Sequence, residues 1–186
     1  MTTIKKKFCR LLRRHSTGNV SKLIEFLDTK DFFSLPASIR YHSKEEGDLC
    51  RHSLNVYNTY KFLLNKYAFN TLSRSKIIYD NCLRAALLHD ICKVFYYKKI
   101  NGKFKYIKHN KNIGHGKLSV HVLKKLDINI THLEEQLITF HMNYYNTYEF
   151  SDRGEYTLLE LCTAQNNKLV KLLSFADDIS AQFIEK

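Results

Sequence analysis

Proline and glycine are scarce in this chain, with one proline and six glycines among 186 residues. That argues against Pro/Gly-rich linkers and low-complexity tracts and for a globular, largely helical chain. No Cys-x-x-Cys pair occurs, and the five cysteines (Cys9, Cys50, Cys82, Cys92, Cys162) are odd in number and widely spaced. Neither a disulfide framework nor a zinc knuckle is suggested, so they read as reduced, mostly buried small hydrophobes of a cytoplasmic protein. No apolar run approaches the length needed to span a bilayer. The basic start, Lys5-Lys6-Lys7-Phe8-Cys9-Arg10, lacks the long apolar core of a secretory signal. No internal repeat is present. One domain over residues 1–186 is expected, long enough for a sizeable core.

Acidic residues are also in short supply, 18 against 30 Lys and Arg, for a net charge of +12. Such a balance suits an anionic partner: nucleic acid, nucleotide or an acidic membrane surface. Lysine outnumbers arginine, and Asn, Ile, Tyr and Phe are abundant, a profile that A/T-rich codon usage also produces with the lysines as solvated surface. Both readings stand.

Apolar periodicity predicts short amphipathic helices at 4–14 and 19–29, parted by Thr17-Gly18. An irregular stretch around Pro36 and a turn at Glu45-Glu46-Gly47-Asp48 lead into a helix over about 49–67, with Leu54, Tyr57, Tyr60, Leu63 and Leu64 inward. A second helix is expected over about 73–93, burying Ile77, Cys82, Ala85, Ala86 and Leu88. The β-formers flanking Asn101-Gly102 predict a two-stranded hairpin at about 94–108, one face of which packs onto the helices. Helices follow from Gly114-His115-Gly116 to about Leu126 and from Thr131 to about Met142. A polar segment, 143–155, precedes a last helical stretch from Tyr156.

Within this frame, Ala86-Leu87-Leu88-His89-Asp90-Ile91-Cys92-Lys93 carries a histidine and an aspartate side by side after an apolar run. Adjacent residues do not share a helix face, so the pair suits a site where a buried helix ends. Imidazole nitrogen and carboxylate oxygen both bind divalent transition metals. Further histidines and an aspartate stand near helix ends in chain order: His52, His115, His141 and Asp177. Several helices each delivering an inward polar group is how bundle interiors build metal sites.

The ordered set resembles the HD-domain metal-dependent phosphohydrolases. The similarity covers residues 31–181, with residues 1–30 forming N-terminal helices packed on the domain. It extends through Pro36-Ala37-Ser38, Arg40-Tyr41-His42, His52-Ser53-Leu54-Asn55-Val56, Leu87-Leu88-His89-Asp90, Gly114-His115-Gly116, Ser119-Val120 and His141-Met142, as in small HD hydrolases of phages and Gram-positive bacteria. The resemblance implies an all-α helical bundle. It implies that His52, His89, Asp90 and Asp177 hold one divalent metal, that His115 and His141 hold a second with Asp90 bridging, and that Lys93 supports the site and meets substrate phosphate. Asp178 stands beside Asp177, and the Ala176-Asp177 context selects the latter. Asp48, Lys117 and Asn143 depart from the usual Gly, Glu and Gly. Arg40, His42, Arg51, Tyr144 and Arg153 are candidate substrate contacts, with Tyr145 a further aromatic. His15, His109 and His132 read as surface residues, and His121 as core or surface.

The implied activity is hydrolysis of a phosphoester by metal-activated water, the catalytic residues being Asp90 and Lys93. Mn, Fe, Co, Ni or Zn suits these ligands, and Mg is compatible. The favoured substrate is a nucleotide or deoxynucleotide. The alternatives are a 3′–5′ exonuclease-like enzyme acting on single-stranded RNA or DNA, which the positive charge suits, and a non-catalytic module binding a nucleotide or protein.

Overall fold

The computed structural model describes residues 3–18, 20–38, 45–72, 75–107, 114–142 and 166–185. Arg40, His42, His109, Tyr144, Tyr145, Arg153, Cys162 and the segment 143–155 lie outside the described residues, as does the start of the helical stretch expected from Tyr156.

Helices α1 (Thr3–Arg14) and α2 (Ser21–Thr29) follow the apolar spacing. They bury Phe8, Cys9 and Leu12, and Leu23, Ile24 and Leu27, each set on one face. Phe8 meets Phe32 and Phe33 at ring-centroid distances of 5.2 and 5.7 Å, tying α1 to the stretch before Pro36. His15, expected at the surface, is 5% exposed. Its Nδ1 lies 2.7 Å from Asp80 Oδ1 and its Nε2 3.0 Å from the Tyr57 hydroxyl. The polar ring is buried because these two partners satisfy it. His121 and His132 are exposed.

The bundle is assembled on α3 (Asp48–Tyr67), which packs against α1, α5 (Lys76–Leu88) and α8 (Lys168–Ile179). Gly47 starts it in the left-handed region (φ 85°), a conformation that favours glycine. The Gly47 and Leu49 amides donate to the Ser34 and Leu35 carbonyls at 3.0 and 2.9 Å. Leu54, Tyr57, Tyr60, Leu63 and Leu64 point inward as the periodicity predicts, and the Tyr60 hydroxyl donates to the Leu169 carbonyl at 3.0 Å. A short α4 (Phe69–Leu72) leads to α5 (Lys76–Leu88), whose N-cap Ser75 accepts from the Ile78 amide. Cys82, Ala85, Ala86 and Leu88 are buried, but Ile77, in the first turn, is 68% exposed because α5 has not yet reached the core there.

The expected helix over 73–93 is in fact two pieces. α5 ends at Leu88, and a 3₁₀ turn, Ile91–Phe95, carries Lys93. The hairpin of β1 (Tyr97–Ile100) and β2 (Lys103–Tyr106) is correspondingly shorter than expected, because Val94 and Phe95 belong to that turn. Asn101 (φ 51°) and Gly102 (φ 76°) make the left-handed pair that a two-residue hairpin requires. Tyr97 and Phe104 pack against the core. Then come α6 (His115–Lys125), α7 (His132–Phe140), α8 (Lys168–Ile179) and a π-type turn, Ser180–Ile184. This is the all-α bundle with one small hairpin that the sequence predicts. No helix among the described residues is long and apolar enough to cross a membrane.

Two contacts set the spacing of the helices that matter most below. Arg84 on α5 and Glu134 on α7, 6% and 1% exposed, form a bidentate pair at 2.5 and 2.8 Å. Arg84 also donates to the Asn129 carbonyl. The same glutamate closes a capping box with Thr131 at the start of α7. At Gly116 the backbones of α6 and α7 nearly touch, since a Cβ built there would lie 2.3 Å from the Thr139 carbonyl oxygen and 2.5 Å from that of Ile138. Arg84→Met, which strands a buried carboxylate, is expected to cost about 3–5 kcal/mol, read from the urea midpoint. Gly116→Ala must push α6 off α7 and is expected to cost about 1–3 kcal/mol in the same measurement.

Candidate metal centre

Five segments converge on one buried point. α3 brings His52 in its second turn. The junction after α5 brings His89 and Asp90, α6 brings His115 as its first residue, the end of α7 brings His141, and α8 brings Asp177. The 3₁₀ turn adds Lys93. His52, His89, Asp90 and His141 are 2% exposed or less, and Asp177 is 9% exposed. The side chains of His115 and Lys93 are more accessible.

Two of the histidines are held by the same local device. His89 and His141 cap the C-terminal ends of α5 and α7, where carbonyls lack helical partners. His89 Nδ1 lies 2.8 Å from the Ala86 carbonyl and His141 Nδ1 2.7 Å from that of Ile138. A carbonyl only accepts, so each ring carries a proton on Nδ1 and turns its Nε2 to the centre. The device also explains why α5 stops. The imidazole takes the Ala86 carbonyl, and the chain turns at Asp90 (φ −110°, ψ 17°).

The donor atoms gather on two sides of Asp90, and a further group of His89, His141 and Asp177 joins the two sides. His52 Nε2 lies 3.0 Å from Asp177 Oδ1, 3.3 Å from His89 Nε2 and 3.5 Å from Asp90 Oδ2. His89 Nε2 lies 3.3 Å from Asp90 Oδ2. On the other side, His115 Nε2 and His141 Nε2 each lie 3.8 Å from Asp90 Oδ1. A cation with ligands at about 2.1 Å holds neighbouring donors about 3.0–3.4 Å apart. Most spacings on the first side lie in or near that range, with His89 Nε2 to Asp177 Oδ1 wider at 3.9 Å, and the second side is slightly wider. Asp90 Oδ1 and His141 Nε2 are fully buried and have no hydrogen-bond partner among the described residues. Buried polar atoms left unpaired in this way call for an ion or water. The residues present therefore fit a divalent metal.

The electrostatics are those of a site prepared for cations. Burial alone would raise Asp90, but Lys93, His89 and His52 hold its carboxyl well below the ordinary carboxylate range. Asp177 is likewise held down against burial by His52 and His89. Burial, with the neighbouring His89 and His115 rings acting in the same direction, pushes His141 down to about 3, so it is neutral. Burial also lowers His115. Burial would lower His52 too, yet Asp177, Asp90 and Glu185 override it and hold the ring protonated well above its ordinary value. The Lys93 ammonium, 2.6 Å from Asp90 Oδ2, is held above its usual range by that carboxylate in spite of burial.

Asp177, not its neighbour, faces the centre, and Asp178 is exposed. Arg51 is exposed and ion-paired to Asp48. Asp48, where the sequence departs from the usual glycine, is buried and also accepts from the Glu45 amide at 2.8 Å. One residue escaped the sequence reading. The side chain of Glu185 is 3% exposed, with its oxygens 3.0 and 3.1 Å from His52 Nδ1. No helical periodicity leads to it, because a non-α turn precedes it.

A helical bundle that buries imidazoles and carboxylates around one point is built as metal-binding bundles are, and three overlapping groups of these residues could hold a divalent metal. The HD-domain family model matches residues 49–182, and the chain belongs to that family, the metal-dependent phosphohydrolase superfamily. No curated protein and no solved structure matches it.

His52 must give up its Nε2 proton to accept a cation there. Because its folded pKa is raised, the proton is present at neutral pH, and affinity should strengthen as pH rises towards that pKa. Calorimetric titration with Mn²⁺ in buffers of different ionisation enthalpy is expected to show proton release, and a weaker affinity at pH 6 than at pH 8.

Proposed function

We propose that this protein hydrolyses a phosphoester of a nucleotide or deoxynucleotide with two divalent cations. His52, His89, Asp90 and Asp177 hold one, and His115 and His141 hold the other, with Asp90 shared. The observation that carries the reading is the division of the Asp90 carboxylate. Oδ2 turns to His52, His89 and Lys93, while Oδ1, unpaired among the described residues, turns to His115 and His141.

When bound, such cations lower the pKa of water and neutralise charge on phosphoryl oxygens. The chain supplies the rest. The buried rings of His89 and His141, with centroids 4.8 Å apart, wall the inner side and exclude bulk water. His115 and Lys93 stand at the accessible edge, where a phosphate enters. Lys93, kept charged by Asp90, offers that phosphate a point charge on a flexible stem.

A second reading, a nuclease acting on single strands, is supported by the net charge of +12 and by the hairpin. Exposed Lys98 stands directly opposite exposed Lys105, a like-charge pair that costs stability unless an anion is near.

The test is metal content of the purified protein, followed by phosphate release from a nucleotide panel with Mn, Co, Ni, Mg and Zn. Wild type runs beside Asp90→Ala and His141→Ala. About two metals per chain are expected, falling to about one in His141→Ala, with turnover lost in Asp90→Ala. Turnover confined to oligonucleotides, with steep salt dependence, would replace the nucleotide reading with the nuclease. Bound metal with no turnover on either class would leave a binding module.

A further inference from the structure

We propose that Glu185 is a positioning residue for the metal centre, orienting His52 and fixing its tautomer from outside the ligand set. The inference rests on the reading that His52 binds a cation through Nε2. Glu185 lies beyond the stretch that matches the family.

Three residues on one stripe of α3 meet the segment that delivers the glutamate. His52, Asn55 and Thr59 stand at i, i+3 and i+7, on one helix face. Thr59 Oγ1 lies 3.5 Å from Ser180 Oγ, and Ser180 Oγ donates to the Ala176 carbonyl at 2.8 Å. Asn55 Nδ2 donates to Glu185 Oε1 at 3.0 Å, and His52 Nδ1 lies 3.0 and 3.1 Å from the two carboxylate oxygens. The carboxylate is thus aimed from two sides, and a carboxylate can only accept. His52 Nδ1 therefore keeps its proton, and Nε2 is the nitrogen that gives its proton up to take the cation. An outer carboxylate on a ligating imidazole fixes its ring and raises its basicity towards the metal.

The π-type turn is what makes this contact. Asp177 faces the centre, and on an unbroken α-helix the residue seven positions on, Ile184, would return to within about 20° of the same face. Instead the Glu185 amide donates to the Ser180 carbonyl, five residues back, at 3.2 Å. The wide turn takes up one extra residue. Ile184 is left 51% exposed, and the glutamate swings in. Such single wide turns occur frequently at functional sites.

The test is the Mn²⁺ dissociation constant by chelator competition, for wild type, Glu185→Gln, Glu185→Ala and Ile184→Ala. The Co²⁺ d–d spectrum and the metal-free melting temperature are recorded for each. Glu185→Ala is expected to weaken Mn²⁺ about 10–100-fold and to alter the cobalt spectrum. Glu185→Gln, which keeps an acceptor in reach but drops the charge, should fall between it and wild type. Ile184→Ala should bind as wild type does. If Glu185→Ala lowers only the metal-free melting temperature, with affinity and cobalt spectrum unchanged, the residue is a structural plug and the proposal is overturned. A wild type that binds no metal would overturn the metal centre itself. Failure confined to the Glu185 comparison leaves that centre standing.

Discussion

Two carboxylates are buried at the middle of this bundle, and most of what surrounds them is there to make that tolerable. An isolated buried carboxylate would surrender its charge rather than stay ionised. Asp90 and Asp177 stay ionised because Lys93 and the imidazoles of His52 and His89 stand within ion-pair distance. The positive charge available from the protein is nevertheless unevenly spent. Lys93 serves one oxygen of Asp90, while the other faces two imidazoles that burial keeps neutral or pushes towards neutrality. That imbalance is the electrostatic signature of a place reserved for cations.

Farther out, the same problem is solved without metal. The Glu134 carboxylate is also buried, but a single guanidinium meets both its oxygens, and nothing is left over. The comparison separates two uses of a buried charge in one molecule. Arg84–Glu134 is closed and holds α5 and α7 at a fixed separation. The Asp90 cluster at the ends of those helices is left incomplete. Gly116 does for α6 and α7 what the ion pair does for α5 and α7, beside His115 and against the Ile138 carbonyl that His141 engages, so packing around the site sets the relative positions of His89, His115 and His141.

Much of this was legible in the sequence, for identifiable reasons. Residue types with narrow chemistry, placed near helix ends in a set order, pointed to His52, His89, Asp90, His115, His141 and Asp177, the family resemblance added Lys93, and the fold brings all of them together. Apolar spacing found the helices, and Asn-Gly found the hairpin, because these signals are local. What stayed hidden depends on distant contacts or on departures from α geometry. His15 looked like surface because nothing in its neighbours announces Asp80 and Tyr57. Arg84 sits in an apolar helix and makes sense only beside Glu134. The break after Leu88 follows from a side chain capturing a backbone carbonyl, and Glu185 from one wide turn. Ile77 failed in the opposite direction: its spacing fits the core stripe, but its turn precedes the core.

The stretch from Ala86 to Lys93 has a consequence for how such a chain can change over time. Within eight residues it ends a helix, spends a carbonyl on His89, reverses at Asp90 and tightens into a 3₁₀ turn that returns Lys93 to the Asp90 carboxylate. Each step counts residues. The buried apolar side chains there, Ala86, Leu87, Leu88, Ile91 and Cys92, can be exchanged for others of similar size, as volume-conserving swaps in cores generally are. A single inserted or deleted residue, however, would rotate every later group by roughly a third of a turn. The junction is therefore permissive at its apolar positions and intolerant in length.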